Sequence, residues 1–422
     1  MIRRTSKHVR LAFRAWRGEV LLFFALVLAS QSLCLSNDDV DAAPDALIGY
    51  TEFRTDLSLG RHANVCTMRA RLVRADGVGR REIADNLARE PNTWTQFAGW
   101  SPDGNRAIVG CGWESSENAK WEEEHERFRF TPDGWRYDMY LLHVRGVIRQ
   151  NGKGGSKPIN LTAIDRVSFY NTGLFFWPND ANTLGFQALI DGVSHPFRMD
   201  GDGRNKRDLT AGSKGFAYGF GASPDGKRIA YHKDYQVYVA DADGSNVSHV
   251  RTDKPFNFSP RWSPDGKRLL FVAGEHYNCH PYVVRRDGTG LRKVGDRGTY
   301  RGVVAFLDVP DFHGGSSDTP VWSSDSRTIF YTARIGKSVE LMRATLEGAA
   351  EQLTHTKPGS LNYHPHVSPN GEWLAFGSTR SGTRQLYVMH TKGRKQHAIT
   401  SVKPGSGAMW PHWQPRPVDR AD

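Results

Sequence analysis

The chain has 422 residues, of which 38% are hydrophobic and 24% charged, with 43 Gly, 21 Pro, 12 Trp, 14 Tyr and 21 Phe. This composition excludes a disordered chain, a coiled coil and a protein with many membrane spans, and it favours an all-β fold with many turns. The net charge is +11, but six of the basic residues lie among the first 36. No later run of Lys and Arg alternates with aromatic residues, so nucleic-acid binding is not expected.

The first 36 residues are predicted to be an export signal. Six basic residues precede a mostly apolar stretch, residues 20–35, which polar residues at 30–32 interrupt. The stretch is short for a membrane-spanning helix and has the length of the apolar part of a signal peptide. Cleavage after Ser32 or Ser36 would release a periplasmic or secreted protein without a membrane span. An uncleaved membrane anchor is the alternative.

A four-residue turn recurs along the chain and is the main structural signal. Three copies read Ser-Pro-Asp-Gly, one is a near copy and two are degenerate: 101–104, 223–226, 263–266, 368–371, 177–180 and 323–326. Ser at the first position accepts a hydrogen bond, Pro presets φ and Gly tolerates the exit from a type I turn. Two short apolar runs, a second turn and often a Leu-Thr or Ile-Thr ending follow. Each unit is therefore predicted to be four short antiparallel strands.

The spacing of these turns predicts a β-propeller. Where no insertion intervenes, successive copies are 40 to 46 residues apart, which is the length of a four-stranded blade. Six turns give six blades, and a seventh forms if the tail around residues 409–415 pairs with the strands that begin the chain. Seven blades are predicted, with six as the alternative. The propeller covers 47–416, between a linker at 37–46 and a tail at 417–422.

Two intervals exceed one blade and predict insertions, at 113–137 and 289–318. The first carries Trp113, Trp121 and the acidic run 122–126, which predicts a short exposed helix. Long loops on one rim of a propeller favour a binding surface there. For the acidic run, a solvated charged face is the alternative.

The innermost strand of each blade lines the propeller axis and brings distant residues together. Strand alternation places the residues two and four positions before each turn on one side of the strand. This predicts that His364 and His366 share a face, that His412 takes the same place one blade on, and that Arg261 stands across the axis.

These histidines suit two kinds of site. A pair on one strand with a third on the next suits a divalent metal such as Mn²⁺, Zn²⁺ or Ni²⁺. The same cluster, with Arg261, Tyr363 and Trp410, suits a ligand that carries a carboxylate. The structural alternative is that the histidines bond axial water and turn backbones. His280, on a loop predicted to open on the same face, is a further candidate.

The unit at 262–273 is Trp-Ser-Pro-Asp-Gly-Lys-Arg followed by Leu-Leu-Phe-Val-Ala, and it resembles the repeat of TolB-type β-propellers. The resemblance covers most of the chain from about residue 44 to 416. It implies an exported bacterial protein of the periplasm or outer surface. It is specific for the propeller, since this repeat also occurs in peptidase propellers and polysaccharide lyases.

The segment Tyr363-His364-Pro365-His366 resembles the paired-histidine strand of oligogalacturonate lyases, which are similar to TolB-type propellers. That family binds a divalent metal through histidines and a Gln. The resemblance implies a metal held by the paired histidines, with His313 as a further candidate ligand by proximity.

Two functions are consistent with these features. In the first, an exported propeller binds a protein or glycan partner at the opening of its axis without catalysis. In the second, a metal-dependent lyase acts on acidic oligosaccharides. There the three axial histidines would hold the metal, Arg261 or Arg301 would clamp a carboxylate, and a nearby His such as His280 would abstract a proton. The sequence contains no Gly-x-Ser-x-Gly elbow, phosphate loop or dinucleotide fingerprint, which favours the first.

Overall fold

The computed structural model describes residues 46–54, 56, 67–125, 129–144, 157–210, 213–275, 278–300 and 318–415. Within these residues the chain forms 28 β-strands, one α-helix (α1, Ser116–His125) and one short 3-10 helix (Asp85–Leu87). The predicted signal, the tail at 417–422, Arg301 and His313 lie outside the described residues.

The first eleven strands are β1 (Leu47–Arg54), β2 (Arg69–Arg74), β3 (Arg81–Glu82), β4 (Thr93–Trp100), β5 (Arg106–Glu114), β6 (Trp135–His143), β7 (Ile159–Asn160), β8 (Tyr170–Trp177), β9 (Asp180–Ile190), β10 (Val193–Asp200) and β11 (Arg207–Asp208). The next eight are β12 (Ala217–Ala222), β13 (Arg228–Lys233), β14 (Gln236–Asp241), β15 (Ser248–Val250), β16 (Phe256–Trp262), β17 (Arg268–Glu275), β18 (Asn278–Arg285) and β19 (Arg292–Lys293). The last nine are β20 (Val321–Trp322), β21 (Thr328–Ile335), β22 (Ser338–Thr345), β23 (Ala350–Gln352), β24 (Asn362–Val367), β25 (Trp373–Ser378), β26 (Gln385–His390), β27 (His397–Ala398) and β28 (Ser406–Trp413).

The strands form antiparallel four-stranded units. Four units follow one another as β12–β15, β16–β19, β20–β23 and β24–β27, and a fifth has the order β28-β1-β2-β3. The remaining eight strands form one sheet whose halves, β4–β7 and β8–β11, are joined by a parallel pairing at Tyr137 and Tyr170. Divided there, the described residues give seven four-stranded units.

The first strands of these units form a closed ring, which confirms the predicted β-propeller. Going round the ring, β28 contacts β4, β4 contacts β8, β8 contacts β12 and β12 contacts β16. On the other side β20 contacts β24, and β24 contacts β28. Between β16 and β20, the indole N–H of Trp322 donates to the carbonyl oxygen of Arg261 at 3.2 Å.

The two ends of the described chain share one sheet, as the sequence predicts. β28 pairs with β1 from Ile48 opposite Trp413 to Arg54 opposite Ser406. Ion pairs reinforce this sheet, because Glu52 contacts the guanidinium groups of Arg71 at 3.0 Å and Arg80 at 2.6 Å. The pairing leaves no open edge between the last strand and the first, so the ring cannot extend by adding a strand from another chain there.

The recurring turn has the chemistry that its sequence predicts. In five units the Ser hydroxyl oxygen accepts the backbone N–H of the residue five positions later, at 2.9–3.0 Å: Arg106, Arg228, Arg268, Thr328 and Trp373. The same Ser donates to the Asp or Asn side chain two positions on. Hydrogen bonds within each turn therefore stabilise it and fix the residue at which the following strand begins.

Threonines near the ends of several units attach the fourth strand to the third. The hydroxyl oxygens of Thr162, Thr354 and Thr400 accept the backbone N–H groups of Met139, Leu341 and Leu386 at 2.8–2.9 Å. Each hydroxyl also donates to a third-strand side chain, namely that of Asp138, Glu340 or Gln385, at 2.6–2.8 Å. The Leu-Thr and Ile-Thr endings in the sequence thus mark a repeated structural contact.

Trp residues directly before the turns join neighbouring units. The indole N–H of Trp100 donates to the carbonyl oxygen of His412 at 2.9 Å, and that of Trp413 donates to the carbonyl oxygen of His366 at 3.1 Å. Trp322 makes the equivalent bond to Arg261. A Trp of one unit therefore holds the backbone of an axial residue in the unit before it.

We expect Trp413→Phe to lower the free energy of unfolding by about 1 kcal/mol, because it removes this buried hydrogen bond while keeping an aromatic ring. Chemical denaturation measures the change. Trp262→Phe is the matched control, since the buried indole nitrogen of Trp262 has no hydrogen-bond partner among the described residues. Equal losses in the two variants would show that the indole bond contributes nothing.

The first insertion lies between β5 and β6 and contains α1. The predicted helix is present, but the prediction that its acidic run is an exposed face is wrong at Glu122, whose side chain is fully buried. Glu122 faces Glu114 at the end of β5, which is also fully buried. Asn118 donates to one oxygen of each carboxyl group, at 3.0 Å for Glu114 and 3.2 Å for Glu122. The helix is therefore fixed to its blade by a buried pair of carboxyl groups.

Candidate functional site

The innermost strands carry a β-bulge at an equivalent place in five units. Four positions before the turn, or its counterpart in β28, stands a residue with positive φ: Gly173 (64°), Gly219 (64°), Ser259 (52°), His364 (52°) and Trp410 (52°). The pairing register shifts at each of these residues. A bulge interrupts the alternation of side chains, so the argument that alternation puts His364 and His366 on one face is wrong.

The bulges sort the axial side chains into two contacting pairs. The rings of the bulged residues His364 and Trp410 are 5.8 Å apart between centroids. Two positions further along each strand, the rings of His366 and His412 are 5.2 Å apart. The structure thus brings together the three predicted axial histidines from β24 and β28, although by a different local geometry from the one expected.

Arg261 lies near both histidines of the second pair. Its charge contributes, after burial, to lowering the pKa of His366 to about 4. Burial also holds the pKa of His412 well below its usual range, with His366 and Arg261 adding to the effect. Both rings are therefore neutral at pH 7, when each can donate through one nitrogen and accept through the other.

Arg261 is accessible to solvent. The side chain keeps an exposed surface, yet burial lowers the pKa of its guanidinium, an effect that the nearby Tyr218 hydroxyl partly offsets. Both properties suit a group that lines an axial opening, where the solvent is confined. None of the ion pairs found among the described residues includes Arg261.

Asp318 supports the bulge from the edge of the second insertion. Its carboxylate, which is 2% exposed, accepts the hydroxyls of Tyr300 at 2.8 Å and Thr332 at 2.9 Å, and the backbone N–H of His364 at 3.0 Å. The Arg297 guanidinium donates to the Thr332 carbonyl oxygen at 3.2 Å and lies over the Tyr300 ring. These bonds satisfy a buried charge and hold His364 in its left-handed conformation.

Two other predicted site residues have structural partners. Tyr363 is fully buried and its hydroxyl donates to the Ala408 carbonyl oxygen at 3.0 Å, so it joins two blades and does not face a ligand. His280, on β18, accepts the backbone N–H of Arg297 through Nδ1 at 3.0 Å. Burial lowers the pKa of His280.

Exposed aromatic side chains form a surface that the sequence analysis missed. Among the described residues, the exposed large aromatic side chains are Phe130 (36%), Phe216 (40%), Tyr218 (41%) and Tyr235 (37%). Tyr235 packs on Phe256 at 5.1 Å, and Phe130 packs on Tyr170 at 4.8 Å. We call these six residues the aromatic rim. All of them lie at the ends of their units opposite the Ser-Pro-Asp-Gly turns.

The aromatic rim is continuous with the axial residues. Tyr218 lies near Tyr170 and near Arg261, since its hydroxyl affects the pKa of each. Phe216 and Tyr218 are two positions apart at the start of β12, so their side chains lie on the same side of the strand. This spacing could have indicated an exposed aromatic surface from the sequence. The signal is weak, because the equivalent aromatic residue of the next unit, Phe258, is buried in the core.

The next feature is the arrangement of side chains that could bind a metal. Within the described ranges, no three His, Cys, Asp or Glu side chains are grouped so that they could hold a metal ion. That His364, His366 and His412 hold a metal therefore stays a prediction. The other predicted ligand, His313, lies outside them.

Comparison with curated proteins gives a partial similarity. No family model matches the chain. Over 164 residues it is 30% identical to the Tol-Pal system protein TolB of Bordetella pertussis, which covers 38% of this chain and 34% of that protein. The chain thus spans about a third of the length of the first curated relatives it matches. The similarity agrees with the TolB-type repeat found in the sequence.

Comparison with solved structures gives neighbours of similar fold at low sequence identity. TolB from Acinetobacter baumannii shares 15% identity with a TM-score of 0.43, covering 79% of this chain and 85% of that one. An oligogalacturonate lyase in complex with manganese shares 14% identity with a TM-score of 0.48, covering 66% of this chain and 71% of that one. The fold assignment itself rests on the ring of paired strands described above. In the described residues, no helix is long and apolar enough to cross a membrane.

Proposed function

We propose that this TolB-like propeller is exported and binds a protein or glycan partner at the opening of its axis, without catalysis. The observation that carries the proposal is the aromatic rim, which gathers exposed and half-buried aromatic side chains at one end of their units, with Tyr218 near Arg261. Exposed rings grouped in this way are typical of binding surfaces, since they offer apolar area at little cost in side-chain entropy. The basic and apolar residues of the first 36 support export to the periplasm or beyond.

The test is binding by immobilised protein to a panel of defined neutral and acidic oligosaccharides and to a library of defined peptides. The wild-type protein is expected to retain members of one class, and the double variant Phe216→Ala/Tyr218→Ala to bind them at least about tenfold more weakly, since each ring contributes about 1 kcal/mol. Val78→Ala/Val247→Ala, which removes exposed apolar groups at the ends of their units that carry the turns, is the control and should bind normally. Equal binding by both double variants would refute a role for the rim.

A metal-dependent lyase is the second candidate, and the adjacent rings of His366 and His412 favour it. It requires a divalent metal in the purified protein and unsaturated, ultraviolet-absorbing products from uronate oligosaccharides. A metal-free protein that retains an oligosaccharide unchanged would exclude this candidate. Metal content together with such products would replace the binding function by the lyase.

A further inference from the structure

Three axial residues occupy the same place in three different units. Arg261, His366 and His412 each stand two positions before the turn or its counterpart, and a Trp of the following unit holds the carbonyl oxygen of each. Their backbones are therefore fixed independently of their side chains. The rings of His366 and His412 are 5.2 Å apart between centroids, and Arg261 is near enough for its charge to lower the pKa of both.

The charge in this cluster is unbalanced. Arg261 belongs to none of the described ion pairs, and the only described group that affects the pKa of its guanidinium besides burial is the Tyr218 hydroxyl. Its positive charge contributes to lowering the pKa of both His366 and His412. Arg261 keeps an exposed surface, so an anion can reach its guanidinium and form charge-assisted hydrogen bonds with it. The same positive field disfavours a metal cation.

Hydrogen-bonding capacity is also unused there. The Nδ1 atom of His366 is enclosed and makes no hydrogen bond of ordinary geometry to a described residue, although the Val367 backbone lies close enough to raise the pKa of the ring. His366 as a whole is half-buried, so a ligand at the axis could contact this residue beside the Arg261 guanidinium.

We propose that Arg261, His366 and His412 form a binding site for a carboxylate group. A guanidinium presents parallel N–H donors that match the two oxygens of a carboxylate, and the imidazoles supply further donors beside it. The proposal rests on the proposed function: it names the chemical group by which a partner seated on the aromatic rim would enter the axis. Such a carboxylate belongs either to an acidic sugar or to the end of a peptide.

Isothermal titration of the full chain with two matched pairs of probes tests the proposal. Glucuronate is compared with glucose, and acetyl-Ala-Ala with its C-terminal amide. We expect the acid of at least one pair to bind at least tenfold more tightly than its neutral counterpart. The pair that responds identifies the source of the carboxylate.

Variants locate the site. Arg261→Gln is expected to weaken binding of the acid at least tenfold, and Arg261→Lys less. Arg343→Gln, which removes a guanidinium from a surface ion pair with Glu351, should bind like the wild-type protein. Unchanged melting temperatures would show that the variants are folded. A variant that does not fold is replaced by His366→Phe, for which the same loss is expected.

Three results would overturn the proposal: equal affinity for the acids and their neutral counterparts, full affinity in Arg261→Gln, or loss of acid binding on adding a chelator. The last would show that a metal holds the ligand. The proposed function fails separately, since it depends on the Phe216→Ala/Tyr218→Ala variant. Rim-dependent partner binding without carboxylate binding would reject only the inference made here.

Discussion

A chain shortened to end at Lys403 is expected to lose cooperative folding. The deletion removes β28, the innermost strand of the sheet that closes the ring, and leaves β1 without its partner. It also removes Met409 and Trp413, which are almost fully buried. Loss of two large core side chains costs about 3–5 kcal/mol each, which together approach the whole stability of a domain, about 5–15 kcal/mol. Calorimetry and limited proteolysis measure the loss.

The control is a chain that ends at Pro415, which keeps all of β28. We expect it to melt like the full chain and to resist protease to the same extent. If the chain ending at Lys403 melted cooperatively within a few degrees of this control, closure of the ring by β28 would not be needed for the fold. The axial pairing of His366 with His412 would then lose its structural basis.

The variant Glu114→Gln is expected to be more stable than the wild-type protein at pH 8 and similar to it at pH 4. Burial, and then the charge of Glu122, raise the pKa of Glu114 from 4.5 to about 8. The unfolded chain releases this proton near pH 4.5, whereas the folded chain retains it. The stability from the protonated pair is therefore fully present below about pH 4.5, falls as the pH rises, and is lost by about pH 8.

The expected gain of Glu114→Gln at pH 8 is on the order of 1–3 kcal/mol, the usual cost of burying a polar group without full compensation. An amide can still accept from Asn118 and needs no proton. Denaturant unfolding between pH 4 and pH 8 measures the difference. Glu124→Gln, on the exposed side of the same helix, should follow the wild-type pH profile. If the free energy of unfolding changed with pH equally in the wild-type protein and in Glu114→Gln, the buried pair would not be protonated.

Much of the fold could be predicted because residues close together in the sequence specify the recurring turns. Ser263, Pro264 and Asp265 specify a tight turn through their own side chains, and the repeat spacing then fixes four strands per unit. Closure was predictable because the tail resembles a first strand without successors. Pairing of Gly49 with His412 confirms it.

The site was less predictable because its geometry depends on backbone conformation. Nothing in the side chains of His364 or Trp410 indicates a positive φ, which in other units is adopted by Gly173 and Gly219. The conformation at His364 is held by Asp318, 46 residues earlier in the chain. Burial of Glu122 was equally hidden, because an acidic run normally indicates a solvated surface. Its position depends on tertiary contacts with Glu114 and Trp135.

The indole groups of Trp100, Trp322 and Trp413 bond to backbone carbonyl oxygens of the preceding units. The contacts that hold the units together therefore do not use the axial side chains that would bind a ligand. Every amino acid has a backbone carbonyl oxygen, so these hydrogen bonds form whichever residue occupies the axial position. Mutation can therefore exchange one axial side chain while leaving the scaffold unstrained. A propeller built in this way can acquire a new specificity by single steps, each of which preserves a folded intermediate for selection.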